Sequence, residues 1–353
     1  MAAFNKTKMI VFLVGSTMLI TFVFYFYQII FTPNILTEET DRLFVIKSGT
    51  SYRQVLNDLY QQRFVNDMVS FGFLARLKKF DRKVQPGRYM LRHNMTNLQA
   101  IEALMGGRRE PVDITFTNVR LVRDLPEMIT KNIGVTEEEF RNALDDFVES
   151  NQQGFTDENI LCMFIPNTYQ VYFNIVPEEL IDRLNEEYRK FWNDERLAKA
   201  AAAGLTPIQV SILASIVQAE TIKADEAPVV AGLYINRLRK GIPLQADPTL
   251  VYAVGDFTIK RVLDKHKEVE SPYNTYKYAG LPPGPINMPS IANIDAVLNY
   301  DKNDYLYMCA REDFSGYHNF ATNLKAHNIN AARYQRALTI EQRKGAALRN
   351  KRK

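Results

Sequence analysis

The longest apolar run lies near the N-terminus. Residues 9–31 contain no charged side chain, and the clearly polar positions in the run are Ser16, Thr17, Thr21 and Gln28. As an α-helix with a rise of 1.5 Å per residue, such a run spans about 34 Å, enough to cross a hydrocarbon core of about 30 Å. The pattern predicts one transmembrane helix over 9–31.

The charges on either side of this run predict its orientation. Lys6 and Lys8 precede it, and Glu38, Glu39 and Asp41 follow it. Because basic residues are retained on the cytoplasmic side, we expect a cytoplasmic N-terminus and a body outside the cytoplasm. A cleaved signal peptide is the alternative, but its apolar core usually has about 7–15 residues and ends at small residues, whereas this run is longer and ends in bulky ones.

Short strands and helices alternate after the apolar run. A strand at 43–46 leads through a glycine-containing turn into an amphipathic helix at 52–62, and a strand at 88–91 followed by another helix repeats this order. The predicted N-caps of the two helices are Ser51 and Thr96. The first unit resembles a LysM-type module, a class that binds the N-acetylglucosamine-rich chains of peptidoglycan. A generic β-turn-α packing unit has the same pattern.

The remaining pattern predicts a larger domain of mixed type, so the expected fold class is α+β. Its elements are a strand at 112–116, helices at 206–221 and 225–240, a proline-rich stretch over 242–290, a helix at 290–299, a strand at 305–308 and a helix from 324. The expected organisation is a cytoplasmic N-terminus (1–8), the transmembrane helix (9–31), a linker (32–42), the LysM-like module (43–110), the catalytic domain (111–340) and a frayed, solvated basic tail (341–353).

Composition excludes several classes of protein. Apolar residues make up 46% of the chain and charged residues 24%, which is ordinary for a folded protein and excludes wholesale disorder. Two cysteines in 353 residues exclude a disulfide scaffold, and no CxxC pair indicates zinc. The net charge is +4, but residues 341–353 contribute +5, which leaves the rest of the chain at −1. A nucleic-acid partner is therefore not expected, because backbone binding needs a basic face.

Glu220 is the anomalous residue of the sequence. A helix that starts at Thr206, with proline in its first turn, carries an apolar stripe through Leu213 and Ile216, and Glu220 lies one turn beyond Ile216 on that stripe. Burial disfavours a charged carboxylate and raises its pKa, as a general acid requires. A helix that frays before Glu220 would instead leave this side chain in solvent.

The loops that follow have the composition of a groove for a polar polymer. They are stiffened by proline and carry aromatic rings, which stack on sugar C–H groups, and amides and carboxylates, which bind hydroxyls. A surface of ordered turns without a ligand has the same composition. The candidate substrate-binding residues are Gln245, Asp247, Thr249, Tyr252, Tyr273, Asn274, Tyr276 and Asn287.

Taken together, these stretches resemble the endolytic murein transglycosylases, the YceG-like proteins. The matching motifs are FIPNTY at 164–169, LASIVQAET at 213–221, LQADPTLVYA at 244–253, PYNTY at 272–276, GLPPGPI at 280–286 and GYHNF at 316–320. Glu220 stands at the family's catalytic glutamate. Two positions depart from the family: Asn167 replaces a common Asp, and the residues after Asn287 replace the usual Asn-Pro-Gly turn.

The resemblance implies cleavage of the β-1,4 bond between N-acetylmuramic acid and N-acetylglucosamine within glycan strands, without water, to leave 1,6-anhydro ends. Such a lyase terminates or trims nascent strands. Glu220 would act first as acid and then as base, and the resemblance implies no cofactor and no metal. The implied partners are peptidoglycan strands, the cytoplasmic membrane and peptidoglycan synthases. The implied location is the bacterial inner membrane, with the catalytic domain in the extracytoplasmic space.

Two other classes of function compete with this interpretation. A membrane-anchored peptidoglycan-binding scaffold would share the module and the groove but would not need Glu220. A metal-dependent amidase of the same wall would need a set of metal ligands. His318 and His327 lie nine residues apart without the short His-x-x-x-His spacing, so we expect core or hydrogen-bonding roles for both.

Overall fold

The computed structural model describes residues 6–36, 40–106 and 110–350, with side chains up to residue 344. Parts of the predicted cytoplasmic N-terminus, linker and basic tail therefore lie outside the described residues. The described chain is a mixed α+β protein in which helices predominate.

The helices are α1 (Lys6–Phe31), α2 (Tyr52–Gln61), α3 (Met68–Leu77), α4 (Asn97–Gly106), α5 (Leu125–Thr130), α6 (Glu137–Ser150), α7 (Pro177–Phe191), α8 (Asp194–Ala203), α9 (Pro207–Glu220), α10 (Ala227–Arg239), α11 (Asp247–Val254), α12 (Asp264–Lys267), α13 (Ile291–Leu298) and α14 (Leu324–Asn350). The strands are β1 (Arg42–Ile46), β2 (Gly87–Leu91), β3 (Pro111–Phe116), β4 (Asn167–Tyr172), β5 (Tyr307–Ala310) and β6 (His318–Ala321). Within the described residues, they form three two-stranded sheets. Strand β1 pairs antiparallel with β2, β3 pairs with β4, and β5 pairs antiparallel with β6.

The chain divides into two compact units. The first comprises residues 1–114, 130–136 and 169–176, and the second comprises 115–129, 137–168 and 177–353. The predicted domain boundary at 110/111 stays a prediction.

The first unit is built around the β1–β2 pair. Phe44 lies opposite Tyr89 in the antiparallel register, and both side chains are fully buried. Helices α2, α3 and α4 contribute Leu59, Phe71 and Ile101 to the same core. The period-two alternation of the strands and the helical spacing therefore bury their apolar residues on shared faces.

Helix α1 is long and apolar enough to cross a membrane, and its most apolar stretch makes no buried contact within the protein. Among the described residues, α8 and α9 pass the same test only when taken together across a 74° bend. Most of α9 is buried among other helices, so its apolar character belongs to the core of the second unit.

Helix α9 is the central element of the second unit. Every residue from Val210 to Val217 is buried, and α8, α10, α11 and α13 pack around the helix. Its start is fixed as predicted: the Thr206 hydroxyl accepts from the backbone N–H of Gln209, and the Gln209 side chain accepts in return from Thr206 N–H. Capping boxes of the same kind confirm the predicted N-caps Ser51 and Thr96.

Three features differ from the sequence prediction. Helix α3 was not predicted, because its mixed burial gives no clean amphipathic pattern. The proline-rich stretch contains α11 and α12, since the proline of α11 stands in the first turn, where helices tolerate it. Helix α14 continues to residue 350 instead of fraying after 341, because Lys, Arg, Gln and Ala are good helix formers even without burial.

Helix α10 approaches the backbone of residue 301 closely at Gly232. A Cβ at this position would collide with the carbonyl oxygen of Asp301 and with the side chain of Asn303. Alanine normally stabilises a helix interior relative to glycine, but here we expect Gly232→Ala to destabilise the protein by about 1–3 kcal/mol through overpacking. In α3, the matched substitution Gly72→Ala meets only Leu56 at 3.9 Å and should be neutral or stabilising. Thermal melts compare the two variants, and an unchanged melting temperature for Gly232→Ala would contradict the close approach.

Candidate active site

The C-terminal turn of α9 is held by side-chain hydrogen bonds. The Gln218 amide donates to Asn287 Oδ1 at 3.0 Å and accepts from the backbone N–H of Ser290 at 2.7 Å. Ser215 accepts from Ile286 N–H at 3.1 Å. These bonds fix the loop after GLPPGP against the helix, so the turn that carries Glu220 has a defined position.

Glu220 is the last residue of α9, and its carboxyl group lies against α10. The hydroxyl of Tyr234 donates to Glu220 Oε1 at 2.8 Å. Tyr234 is buried, with 2% of its surface exposed, so this bond is protected from water. The bond orients one carboxyl oxygen and leaves the other available for a ligand.

Burial raises the pKa of Glu220 from 4.5 to about 7. The Tyr234 hydrogen bond opposes this shift, because it stabilises the ionised carboxylate, while the negative charge of Asp247 adds to it. A carboxyl group with a pKa near neutrality can donate a proton in one step and accept one in the next.

Asp247 is the first residue of α11, and the Tyr276 hydroxyl donates to its Oδ1 at 2.6 Å. The pKa of Tyr276 is raised by burial and by this bond to a carboxylate, so the phenol remains a donor. In contrast to Glu220, Asp247 is exposed. The two carboxyl groups therefore have different environments, one buried and one exposed, and such a difference allows two neighbouring carboxyl groups to take different roles.

Arg237 fixes the loop that precedes Asp247. Arg237 as a whole is 5% exposed, and its guanidinium donates to the carbonyl oxygens of Leu306, Pro243 and Leu244 at 2.6, 2.9 and 2.8 Å. Gln245 follows in the left-handed region, with φ of 52°, and its side chain also accepts from Arg237 at 3.3 Å. A buried cation satisfied by backbone carbonyls therefore holds the conformation of the LQADP segment.

Glu226 joins the end of α9 to β6. Its side chain is 3% exposed and accepts from the Thr221 hydroxyl at 2.9 Å and from the backbone N–H of His318 at 2.7 Å. The Nδ1 atom of His318 lies 2.9 Å from Oε2 of Glu226, the same oxygen that accepts from Thr221. Since Thr221 directly follows Glu220, this buried carboxylate positions the candidate acid.

Two cavities meet at Glu220 and Asp247. One has a volume of about 340 Å³ and is also lined by Tyr234, Arg237 and His318. The other has a volume of about 670 Å³, and its further lining residues include Arg120, Tyr252, Phe257, Lys260, Asn287 and Tyr334. All of these residues belong to the second unit. The two carboxyl groups thus lie in a groove that continues on both sides of them.

The structure brings most of the candidate residues together. Those that line one or both cavities are Glu220, Gln245, Asp247, Tyr252, Tyr276 and Asn287. Tyr273 packs against Tyr252, with ring centroids 4.6 Å apart. Thr249 and Asn274 are fully buried, and their side chains bond to Ala246, Thr275, Lys267 and Val269. We therefore assign Thr249 and Asn274 to loop support instead of substrate contact.

Sequence reasoning missed Tyr234, Arg237 and Glu226. Tyr234 and Arg237 lie three positions apart on α10, a spacing that places both on one helix face. Nothing in the sequence indicates that this face meets Glu220. Within residues 6–36, 40–106 and 110–350, no three His, Cys, Asp or Glu side chains come together as metal ligands. His318 pairs with Glu226, and His327 lies beside Tyr307, as expected for hydrogen-bonding or packing roles.

Comparison with known proteins adds an independent finding. Residues 44–333 match the model of the YceG-like family. An endolytic murein transglycosylase of Bacillus subtilis is 31% identical over 222 residues, which cover 63% of this chain and 56% of the relative. The protein of the same name from Streptococcus pneumoniae is 23% identical over 93% of this chain and 65% of the relative. The chain thus spans less than two thirds of these curated relatives.

The fold also matches a solved structure. A YceG-like protein of Listeria monocytogenes superposes with a TM-score of 0.52 at 24% identity, covering 83% of this chain and 99% of that one. This similarity supports the mixed α+β architecture.

Substitutions can separate the opposing effects of Tyr234 and Asp247 on the pKa of Glu220. Tyr234→Phe removes a bond that stabilises the carboxylate, so the pKa of Glu220 should rise above about 7. Asp247→Asn removes a neighbouring negative charge, so the same pKa should fall. NMR titration of labelled glutamate carboxyl carbons measures both shifts, with exposed Asp264→Asn as a control that leaves Glu220 unchanged. Shifts of the same sign in both variants would contradict the assigned causes.

Proposed function

The chain belongs to the YceG-like family, and on this basis we propose that it is an endolytic peptidoglycan lytic transglycosylase. The observation that carries the proposal is the partly buried Glu220, whose pKa is raised by burial to about 7 where two cavities meet. Its substrate is the glycan strand, cleaved at the β-1,4 bond between N-acetylmuramic acid and N-acetylglucosamine.

In the first step, protonated Glu220 donates its proton to the glycosidic oxygen as the C1–O bond breaks. A raised pKa keeps a substantial fraction of the carboxyl protonated near neutral pH, as this step needs. Tyr234 occupies Oε1, so the proton is carried by Oε2. The leaving sugar departs with a free hydroxyl.

In the second step, the Glu220 carboxylate takes the proton of the muramic acid's own 6-hydroxyl, whose oxygen closes onto C1. The acid is regenerated, no water is consumed, and the product carries a 1,6-anhydro end. Because the sugar supplies the nucleophile, the scheme needs one carboxylate where glycoside hydrolases use two. The exposed Asp247 accepts from the Tyr276 hydroxyl and so positions the loop beside Glu220.

The two cavities support cleavage within strands. Glu220 lies at their junction, with space for sugar units on either side of the broken bond. An enzyme that removes only terminal units needs a groove closed at one end. Tyr252 lines the larger cavity and packs against the ring of Tyr273, and its aromatic face suits stacking on a pyranose ring.

The first unit and α1 complete the proposal. We assign the β-turn-α module to a second, non-catalytic contact with glycan strands, as a LysM-like unit would make. Helix α1 anchors the chain in the cytoplasmic membrane, with its N-terminus inside and the catalytic domain outside. Peptidoglycan synthases that make nascent strands stay predicted partners.

The acid role of Glu220 is tested by Glu220→Gln. Glutamine keeps the volume but transfers no proton, so the variant should fold normally and lose cleavage by about 10²–10⁴-fold or more. Asp247→Asn should lose less, and Glu195→Gln, an exposed position on α8, should lose nothing. The assay is mass spectrometry of anhydro-muropeptides released from isolated peptidoglycan, with thermal melts alongside.

Each alternative gives a different result in that assay. Turnover by Glu220→Gln near the wild-type rate would exclude the mechanism. A loss in Asp247→Asn as deep as that in Glu220→Gln would place the protein in the two-carboxylate class. Strand binding by the wild-type chain without any anhydro product would favour the scaffold function.

The orientation of α1 gives a separate prediction. Protease added to intact spheroplasts should degrade the body after residue 33, because the flanking charges favour a cytoplasmic N-terminus. Immunodetection of an epitope at the C-terminus follows the digestion, and a cytoplasmic protein serves as the lysis control. Protection of the epitope in intact spheroplasts would reverse the orientation.

A further inference from the structure

Helix α3 presents an apolar stripe to solvent. Val69, Phe73 and Leu77 are spaced four residues apart and are 77%, 51% and 57% exposed. The opposite side of the same helix, through Phe71 and Leu74, is buried in the core of the first unit. A row of large apolar side chains on a short, otherwise well-packed helix indicates a contact surface.

The stripe is continuous with the membrane-type helix. The ring of Phe73 meets the ring of Phe26 in α1 edge-on, with centroids 6.4 Å apart and an interplanar angle of 83°. One turn further along α1, Ile29 is buried in the core of the first unit. The end of α1 and the stripe on α3 are therefore neighbours in one packed body.

Buried polar side chains fix this arrangement. Asn97 donates to the carbonyl oxygen of Ile29 at 2.9 Å and to Ser70 Oγ at 3.1 Å. Asn34 donates to Asn97 Oδ1 at 2.6 Å and accepts from Asp67 N–H at 2.7 Å. Because Asp67 is also the N-cap of α3, the network ties the start of α3 directly to the end of α1.

The depth of the stripe follows from the length of α1. About 20 apolar residues cross the hydrocarbon core, so a span that begins at Met9 reaches its far boundary near Gln28. Phe26 then lies at this boundary, and Phe73, which touches it, lies at the same depth. The last turn of α3 and the residues after it carry Arg76, Lys78 and Lys79. Lys78 is paired with Glu102 at 3.0 Å, and the positive charges of Arg76 and Lys79 match anionic headgroups.

We propose that α3 is an interfacial membrane helix, whose Val69, Phe73 and Leu77 side chains insert into the lipid leaflet at the point where α1 leaves the membrane. The proposal rests on α1 spanning the membrane and is independent of the catalytic function. Lipid covers the apolar stripe, and the module is thereby held against the membrane surface by two helices instead of one flexible tether.

Fluorescence quenching in vesicles tests the position of the stripe. The full chain with Cys309→Ser, in which Cys162 is buried, receives a single NBD label at Phe73→Cys and is reconstituted into phosphatidylethanolamine–phosphatidylglycerol vesicles. We expect quenching by lipids that carry a doxyl group near the headgroup and several-fold weaker quenching by iodide than at Ser48→Cys, an exposed turn position. A label at Val14→Cys in α1 reports whether the span itself enters lipid.

Three results would overturn the proposal. The first is iodide quenching at residue 73 equal to that at residue 48. The second is protection from iodide without quenching by doxyl lipid, since this would show a protein partner or a second copy on the stripe. The third is lipid quenching at residue 14 but not at residue 73. Because labelling at 73 disturbs the contact with Phe26, Val69→Cys provides a second reporter on the same stripe, and thermal melts confirm that both variants fold.

Discussion

The burial of α9 is the constraint on which the candidate site depends. Its apolar residues supply the free energy of packing, and its last turn is joined to separate segments by polar groups: Ser215 and Gln218 to the loop at 286–290, Glu220 to α10, and Thr221 to Glu226. Apolar packing alone would allow small shifts along the helix axis. Directional hydrogen bonds remove that freedom, so the carboxyl group is presented at one position in the groove.

Burying the carboxyl group of Glu220 at this position lowers the free energy of unfolding of the protein, because the ionised form loses water contacts. A partly desolvated carboxylate is disfavoured, and the protein compensates only partly, through a single phenol donor, while the nearby Asp247 acts in the opposite direction and raises the pKa of Glu220. A second donor would lower the pKa of Glu220 and leave less of the carboxyl group protonated near neutral pH, whereas removal of Tyr234 would take away the donor that stabilises the carboxylate. In the proposed mechanism, one hydrogen bond is a compromise between the two proton transfers.

The sequence was sufficient to predict the N-cap at Thr206 and the helix that ends at Glu220, because these depend on short-range periodicity and capping chemistry. The catalytic role of Glu220 stays a prediction. The sequence could not separate side chains that line the groove from those that support it: Asn274 and Tyr276 are two residues apart, yet one is buried and the other faces the cavity. Nor could it pair His318 with Glu226, because the two residues lie 92 positions apart and meet only through tertiary packing. Helix α3 was missed because half of its apolar residues are exposed, which blurs the amphipathic pattern.

In each unit, a network of side-chain hydrogen bonds fixes the position of an irregular segment. In the first unit, Asn34, Ser70 and Asn97 hold the chain that leaves α1, and in the second, Ser215, Gln218 and Asn287 hold the loop beside Glu220. The chain that leaves α1 also makes isolated β-bridges, Pro33 with Thr96 and Ile35 with Val65, and the side-chain bonds add to these backbone contacts. Buried amides are costly unless every donor and acceptor is satisfied. A misplaced segment would therefore leave several groups unpaired at once, so these networks contribute less to overall stability than to the choice of one conformation.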